Sequence, residues 1–141
     1  MTDNKTDAKI RLIILFEYCK RSFGKSDNPE MHFYVIPELH DTDNKIIKIN
    51  AIHLMDENLV RGGVDDDGTQ TFPWIRKITH AGMELVERLI NESELSMPEL
   101  HDELKYKAET KDRILGFIGY CLKTDDFPTK VLGIAKNIMP F

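Results

Sequence analysis

Apolar side chains recur at a helical interval near the start of the chain. Ile10, Ile13 and Ile14 share one arc, and Leu12, Leu15, Phe16 and Cys19 widen it almost to a full circle. Thr6 or Asp7 can cap this segment and Gly24 can end it, so a helix is expected to about Phe23. A helix apolar on nearly all sides is either buried centrally or covered by a partner chain, which makes it a candidate dimer element. From Lys25 to Asn44 the pattern breaks into turn formers, with Asp27, Asn28 and Pro29 at one end and Asp41, Thr42, Asp43 and Asn44 at the other. Between them His32 to Ile36 favours a short strand, and one helical turn is expected near Pro37 to His40.

Helical spacing returns from about Asn44 to Asn58, with Thr42 or Asp43 as the cap. Ile47, Ala51, Leu54 and Met55 form the arc assigned to the core. The opposite arc carries Lys45, Asn50, His53, Asp56 and Glu57, but also Ile46, Ile49 and Ile52, which a purely solvated face does not need. Leu59 to Val64 and Phe72 to Ile78 then read as two extended runs. Asp65, Asp66, Asp67 and Gly68 join them, and Asp-Gly between β-prone segments signals a hairpin. Gly62 and Gly63 can let the first run twist or bulge, and Pro73, which donates no ladder hydrogen bond, belongs at an edge.

Thr79 caps a further helix to about Asn91, striped by Met83, Val86, Leu89 and Ile90. The remainder reads as helical in two or three pieces. Ile114, Phe117, Ile118, Cys121 and Leu122 keep an i, i+3, i+4, i+7, i+8 pattern. Gly116 and Gly119 on that helix point to close approach of a neighbouring helix. After Asp125 and Asp126, Pro128 can start a last helix with Val131, Leu132, Ala135 and Ile138. The expected class is α+β, mainly helical, with one domain over residues 1–92 and a helical extension over 93–141 that can act as a dimer element.

Composition supports a single globular core: of 141 residues 41% are hydrophobic and 30% charged, enough apolar material to fold without disulfides or metals. Cys19 and Cys121 lie in apolar helical stretches and read as reduced core residues. The longest apolar run, Leu12 to Phe16, is too short to span a membrane. Met1 to Lys9 is polar and acid-bearing, unlike a signal or transit peptide, so the expected location is cytoplasmic. The net charge of −5 argues against non-specific coating of nucleic acid, which depends on many phosphate contacts. Charge is uneven, however: residues 1–25 hold six basic and three acidic side chains, whereas residues 26–60 hold two basic and seven acidic.

The strings Asn50-Ala51-Ile52-His53-Leu54-Met55-Asp56-Glu57-Asn58-Leu59-Val60 and Ile78-Thr79-His80-Ala81-Gly82-Met83-Glu84-Leu85 resemble winged helix-turn-helix proteins. In such proteins the first string looks like the end of the recognition helix entering the wing, and the second like the strand-to-helix junction after it. The chain is similar to a bacterial and prophage winged-helix family of undefined function that also carries a helical tail. The likeness covers roughly residues 8–92 and implies a winged helix-turn-helix fold, transcription regulation, double-stranded DNA as partner and a homodimer. Two departures stand out. Asp41 to Asn58, the segment that would enter the major groove, holds two basic and four acidic residues, and three consecutive aspartates occupy the wing tip. A groove reader needs positive charge at both places.

Lys45, Lys48, Asn50, Arg61, Arg76 and Lys77 are the candidates for phosphate or base contacts, against a plain reading as solvated side chains. Arg11, Lys20 and Arg21 can add phosphate contacts, although snorkelling over an apolar helix explains them better. The competing function is a protein-interaction module without DNA binding, docking through Ile46, Ile49 and Ile52. His53 with Glu57, and His80 with Glu84, are each four apart but lack a third ligand at a metal-binding interval, so no metal or cofactor is expected. Asp65 to Asp67 lack the spacing of a calcium loop. Trp74 beside Phe72 reads as a core anchor more readily than as a base-stacking platform. Nucleophile elbow, phosphate loop and paired catalytic carboxylates are all missing from the sequence, so an enzyme is not expected.

Overall fold

The computed structural model describes residues 7–27, 29–123 and 127–139. Thr6, Asn28, Asp125 and Asp126, which entered the sequence reading as a cap or turn formers, lie outside them. The fold is α+β and mainly helical. Its contacts gather into two compact units that divide after Gly82, ten residues before the boundary expected at 92.

The first unit opens with α1, Asp7–Ser22. Gly24 ends it in the left-handed region at φ 69°, and Lys25 N–H reaches back to the Lys20 carbonyl at 2.8 Å, so the exit satisfies carbonyls that the helix end would leave bare. The strand expected at His32 to Ile36 does not form. The chain makes a 3-10 turn over Phe33–Val35 and another over Pro37–Leu39. Phe33, Ile36 and Leu39 are buried. Three inward side chains at intervals of three fit successive turns, whereas a strand over His32 to Ile36 would alternate at intervals of two.

The second helix, α2, runs Asn44–Asp56, and its N-cap is Asp43, whose carboxylate accepts the Lys45 N–H at 2.8 Å. Asn58, at φ 60°, closes the helix as Gly24 closes α1, with Leu59 N–H on the Leu54 carbonyl at 2.9 Å. Strands β1 (Val60–Asp66) and β2 (Thr71–Ile78) pair antiparallel, with Val60 opposite Ile78 and Asp66 opposite Thr71. The register slips between Arg61 and Gly62, so Arg61 faces Lys77 while Gly62 faces Ile75, and Arg76 is the extra residue of a bulge in β2. Both glycines are needed there. A Cβ on Gly62 would collide with the Trp74 carbonyl, and one on Gly63 would meet the Trp74 ring at 2.8 Å.

Helix α3, His80–Ser96, starts in the first unit, and its initiating residue behaves as expected. Thr79 Oγ1 accepts the Gly82 N–H at 3.0 Å and donates to the Asn58 carbonyl at 2.7 Å, which pins the start of the helix to the end of α2.

The second unit holds the rest of α3 with α4 (Pro98–Leu104), α5 (Thr110–Leu122) and α6 (Thr129–Ile138). Glu94 joins three of these helices: it accepts from His101 Nδ1 at 3.1 Å and is paired with Arg113. Gly116 allows the close approach anticipated for it, because a Cβ there would meet Leu104 at 3.0 Å and Lys107 at 2.9 Å. For Gly119 no described residue lies within 4 Å of its Cβ position. Among the described residues no helix is long and apolar enough to cross a membrane.

Candidate functional site

The six polar candidates do not form one surface. Asn50 is a correction: it is 1% exposed and points into the first unit. Its Oδ1 accepts Arg11 Nε–H at 2.7 Å, and its Nδ2 donates to Asp7 at 3.2 Å and to the Ile46 carbonyl at 2.9 Å. Arg11, entertained as a phosphate contact, is 8% exposed in the same network. Burial pulls its guanidinium below its usual range, while Asp7 and then Glu57 push the other way. Arg11 and Asn50 therefore tie α1 to α2, each satisfying a polar group that burial would otherwise leave without a partner.

Lys45 and Lys48 line a groove of about 420 Å³ against the hairpin tip, from Asp66 to Thr71. The Lys48 ammonium lies 5.3 Å from the centre of the Phe72 ring. Facing them is the acidic tip, whose carboxylates are partly committed to its own turn. Asp66 accepts the Gly68 N–H at 2.7 Å, and Asp67 accepts the N–H of Gln70 at 2.8 Å, with the N–H and hydroxyl of Thr69 at 2.9 and 2.8 Å. Those bonds, Gln70 first, hold the Asp67 carboxyl below the usual carboxylate range.

Arg61, Arg76 and Lys77 sit at the other end of the hairpin, next to its bulge, and all are exposed. Among the described residues none of the three has an ion-pair partner. Arg21 is occupied: it pairs with Glu17 at 2.8 Å, donates to the Met31 carbonyl at 2.6 Å and lies over the Tyr18 ring. Lys20 also pairs with Glu17, at 3.5 Å.

The apolar candidates stand differently. Ile49 is 55% exposed, and Ile46 and Ile52 on either side of it are half-buried. Lys45, Ile49, His53 and Asp56 make the exposed stripe of α2, while Ile47, Ala51 and Leu54 are fully buried. Trp74, expected as a core anchor, is 41% exposed, and Val64 and Phe72 join it at the hairpin surface with 46% and 37%. The signal that could have found this was the run Gly62-Gly63, since the indole lies over Gly63 where any side chain would have displaced it.

A second groove, of about 490 Å³, runs between Tyr18, the segment from Pro29 to Phe33, and Trp74 to Arg76. In it His32 is held below its usual pKa, chiefly by burial and further by Lys48 and Arg21, against the opposing bond to the Pro73 carbonyl. Cys19 and Cys121 are buried and unbridged, and burial pushes the Cys121 thiol far upward, so Cys121 offers no reactive thiolate. Among the described residues no three His, Cys, Asp or Glu side chains gather in a way that could hold a metal ion. Comparison of the chain with family models, curated proteins and solved structures found no match.

Proposed function

We propose that the first unit is a winged-helix domain that serves as a protein-docking module, with α2 in the place of the recognition helix and the β1–β2 hairpin as the wing. The order of helix, helical turn, helix, hairpin and helix supports the frame, and the observation that carries the function is Ile49. A solvent-facing isoleucine between two half-buried ones, on a helix whose one inward amide is bonded to a buried arginine, suits an apolar partner better than base edges. Lys45 and Lys48 flank that apolar centre, so the partner that fits is an apolar helix face rimmed with acids. An acidic wing tip beside Lys45 and Lys48 opposes a phosphate backbone at that place.

Duplex DNA remains the second reading, on the strength of Arg61, Arg76 and Lys77, three exposed cations that no carboxylate among the described residues neutralises. The two readings separate in one pair of experiments. Proximity labelling in host cells is expected to lose its leading partners with Ile49→Asp and to recover them at reduced yield with Lys45→Glu plus Lys48→Glu, which set like charges against the acidic rim. A fluorescent duplex titrated across salt concentrations is expected to show no binding near 150 mM salt. Salt-dependent duplex binding at that concentration, abolished by charge reversal at Lys45 and Lys48 or at Arg61, Arg76 and Lys77, would overturn the docking reading.

A further inference from the structure

We infer that the outer edge of β1 is a self-association surface and that its partner is β1 of a second copy, paired antiparallel about Gly63. The sheet has two strands in the order β1–β2, so each strand has one edge with no neighbour in the sheet. The two edges are unlike. β2 is interrupted by Pro73, which has no N–H to offer, and by the bulge at Arg76, both features that discourage pairing. β1 has neither. From Arg61 to Asp66 it is exposed apart from half-buried Gly63, and among the described residues its only backbone pairing is with β2. Gly62 and Gly63 put no side chain in the way of an approaching backbone.

The sequence of this edge, Val60-Arg61-Gly62-Gly63-Val64-Asp65-Asp66, is complementary to itself in one orientation only. With Gly63 opposite its copy, Arg61 of each chain faces Asp65 of the other, and Gly62 faces Val64. An in-register parallel pairing would instead set Arg61 against Arg61 and Asp65 against Asp65, which opposite-strand charges disfavour. The monomer also supplies a reason for Arg61 to seek a carboxylate. Its cross-strand neighbour is Lys77, a like charge, and neither has an ion-pair partner among the described residues. An Asp65 arriving on the free side of Arg61 compensates that pair, and it does so twice across the two-fold axis. The product is a four-stranded antiparallel sheet in the order β2–β1–β1–β2.

Charge reversal tests the pairing without touching the core, because both residues are exposed. Sedimentation equilibrium of the full chain over about 1–200 µM spans the affinities expected of an interface this small. The wild-type chain is expected to dimerise, and more weakly as salt rises. Arg61→Glu and Asp65→Arg alone are each expected to weaken the dimer by roughly tenfold or more, since each turns two attractive pairs into repulsive ones. The double variant, and an equimolar mixture of the two single variants, are expected to recover association, with unchanged far-UV circular dichroism throughout. A chain that stays monomeric over this range overturns the inference. So does a dimer indifferent to both reversals, or one that the mixture fails to restore.

Discussion

Helices α1 and α2 are built from similar residues and are treated in opposite ways. Each carries isoleucines on more than one side. In α1 eleven of sixteen residues are buried, Arg11 and Glu17 among them, so its nearly unbroken apolar circumference is used by the fold. In α2 only Ile47, Asn50, Ala51 and Leu54 are buried, and Ile49 stands out in solvent. Apolar surplus on α1 is thus explained by packing, and the same surplus on α2 is not. An exposed large aliphatic on its own is ordinary, but here it lies on a stripe with two half-buried neighbours and two flanking lysines. The difference teaches that the hydrophobic pattern alone cannot tell a packing face from an exposed one.

The comparison can be broken most severely in α1. Phe16→Ala, at a site with no exposure, is expected to cost about 3–5 kcal/mol in chemical unfolding. A loss below about 1 kcal/mol would mean that α1 is not core in the sense claimed. Next in size is the polar link between the two helices. Asn50→Ala leaves the Arg11 guanidinium and Asp7 without that partner and is expected to cost about 1–3 kcal/mol. An unchanged midpoint would return Asn50 to the list of surface contacts.

Smaller again is the bond that fixes α3 to the end of α2. Thr79→Val keeps the shape of the side chain but removes both the cap and the bond to the Asn58 carbonyl, for about 1 kcal/mol in thermal unfolding.

The least effect concerns pH, where cations of both helices act on one imidazole. His32 is neutral in the fold more readily than in the unfolded chain, because burial lowers its pKa and Lys48 of α2 and Arg21 of α1 add to the shift. The unfolded state therefore binds the proton first. This contribution is fully present above the unfolded value near 6.5, and it falls away as pH drops below it. His32→Gln is expected to flatten the stability profile between about pH 7 and 5. A profile identical to that of the wild-type chain would remove His32 from the account.

Much of this fold is legible in the residues, and the exceptions have physical causes. Asp43, Asn58, Thr79 and Gly68 announce where α2 begins and ends, where α3 begins and where the hairpin turns, because caps and tight turns depend on one or two side chains. The segment from His32 to Ile36 misled, since its β-branched and aromatic residues fit a strand as well as the turn that buries Phe33 and Ile36. Asn50 misled for a different reason: its partner, Arg11, is 39 positions away, and no local pattern reveals a bond of that span. The site was legible as a list of residues but not as a surface. Nothing in the spacing of Lys45, Lys48, Arg61, Arg76 and Lys77 says that the first two, on α2, face the tip of the hairpin while the other three stand at its far end.

The most direct test places one substitution at two neighbouring positions of α2. Ile47→Asp and Ile49→Asp are compared by urea unfolding, with no partner present. Ile47→Asp is expected to prevent stable folding, because it buries an unpaired carboxylate at a position with no exposure. Ile49→Asp is expected to leave stability within about 0.5 kcal/mol of the wild-type chain. Should Ile49→Asp instead cost about 2 kcal/mol or more, its side chain belongs to the core, and α2 has no outer face to offer a partner.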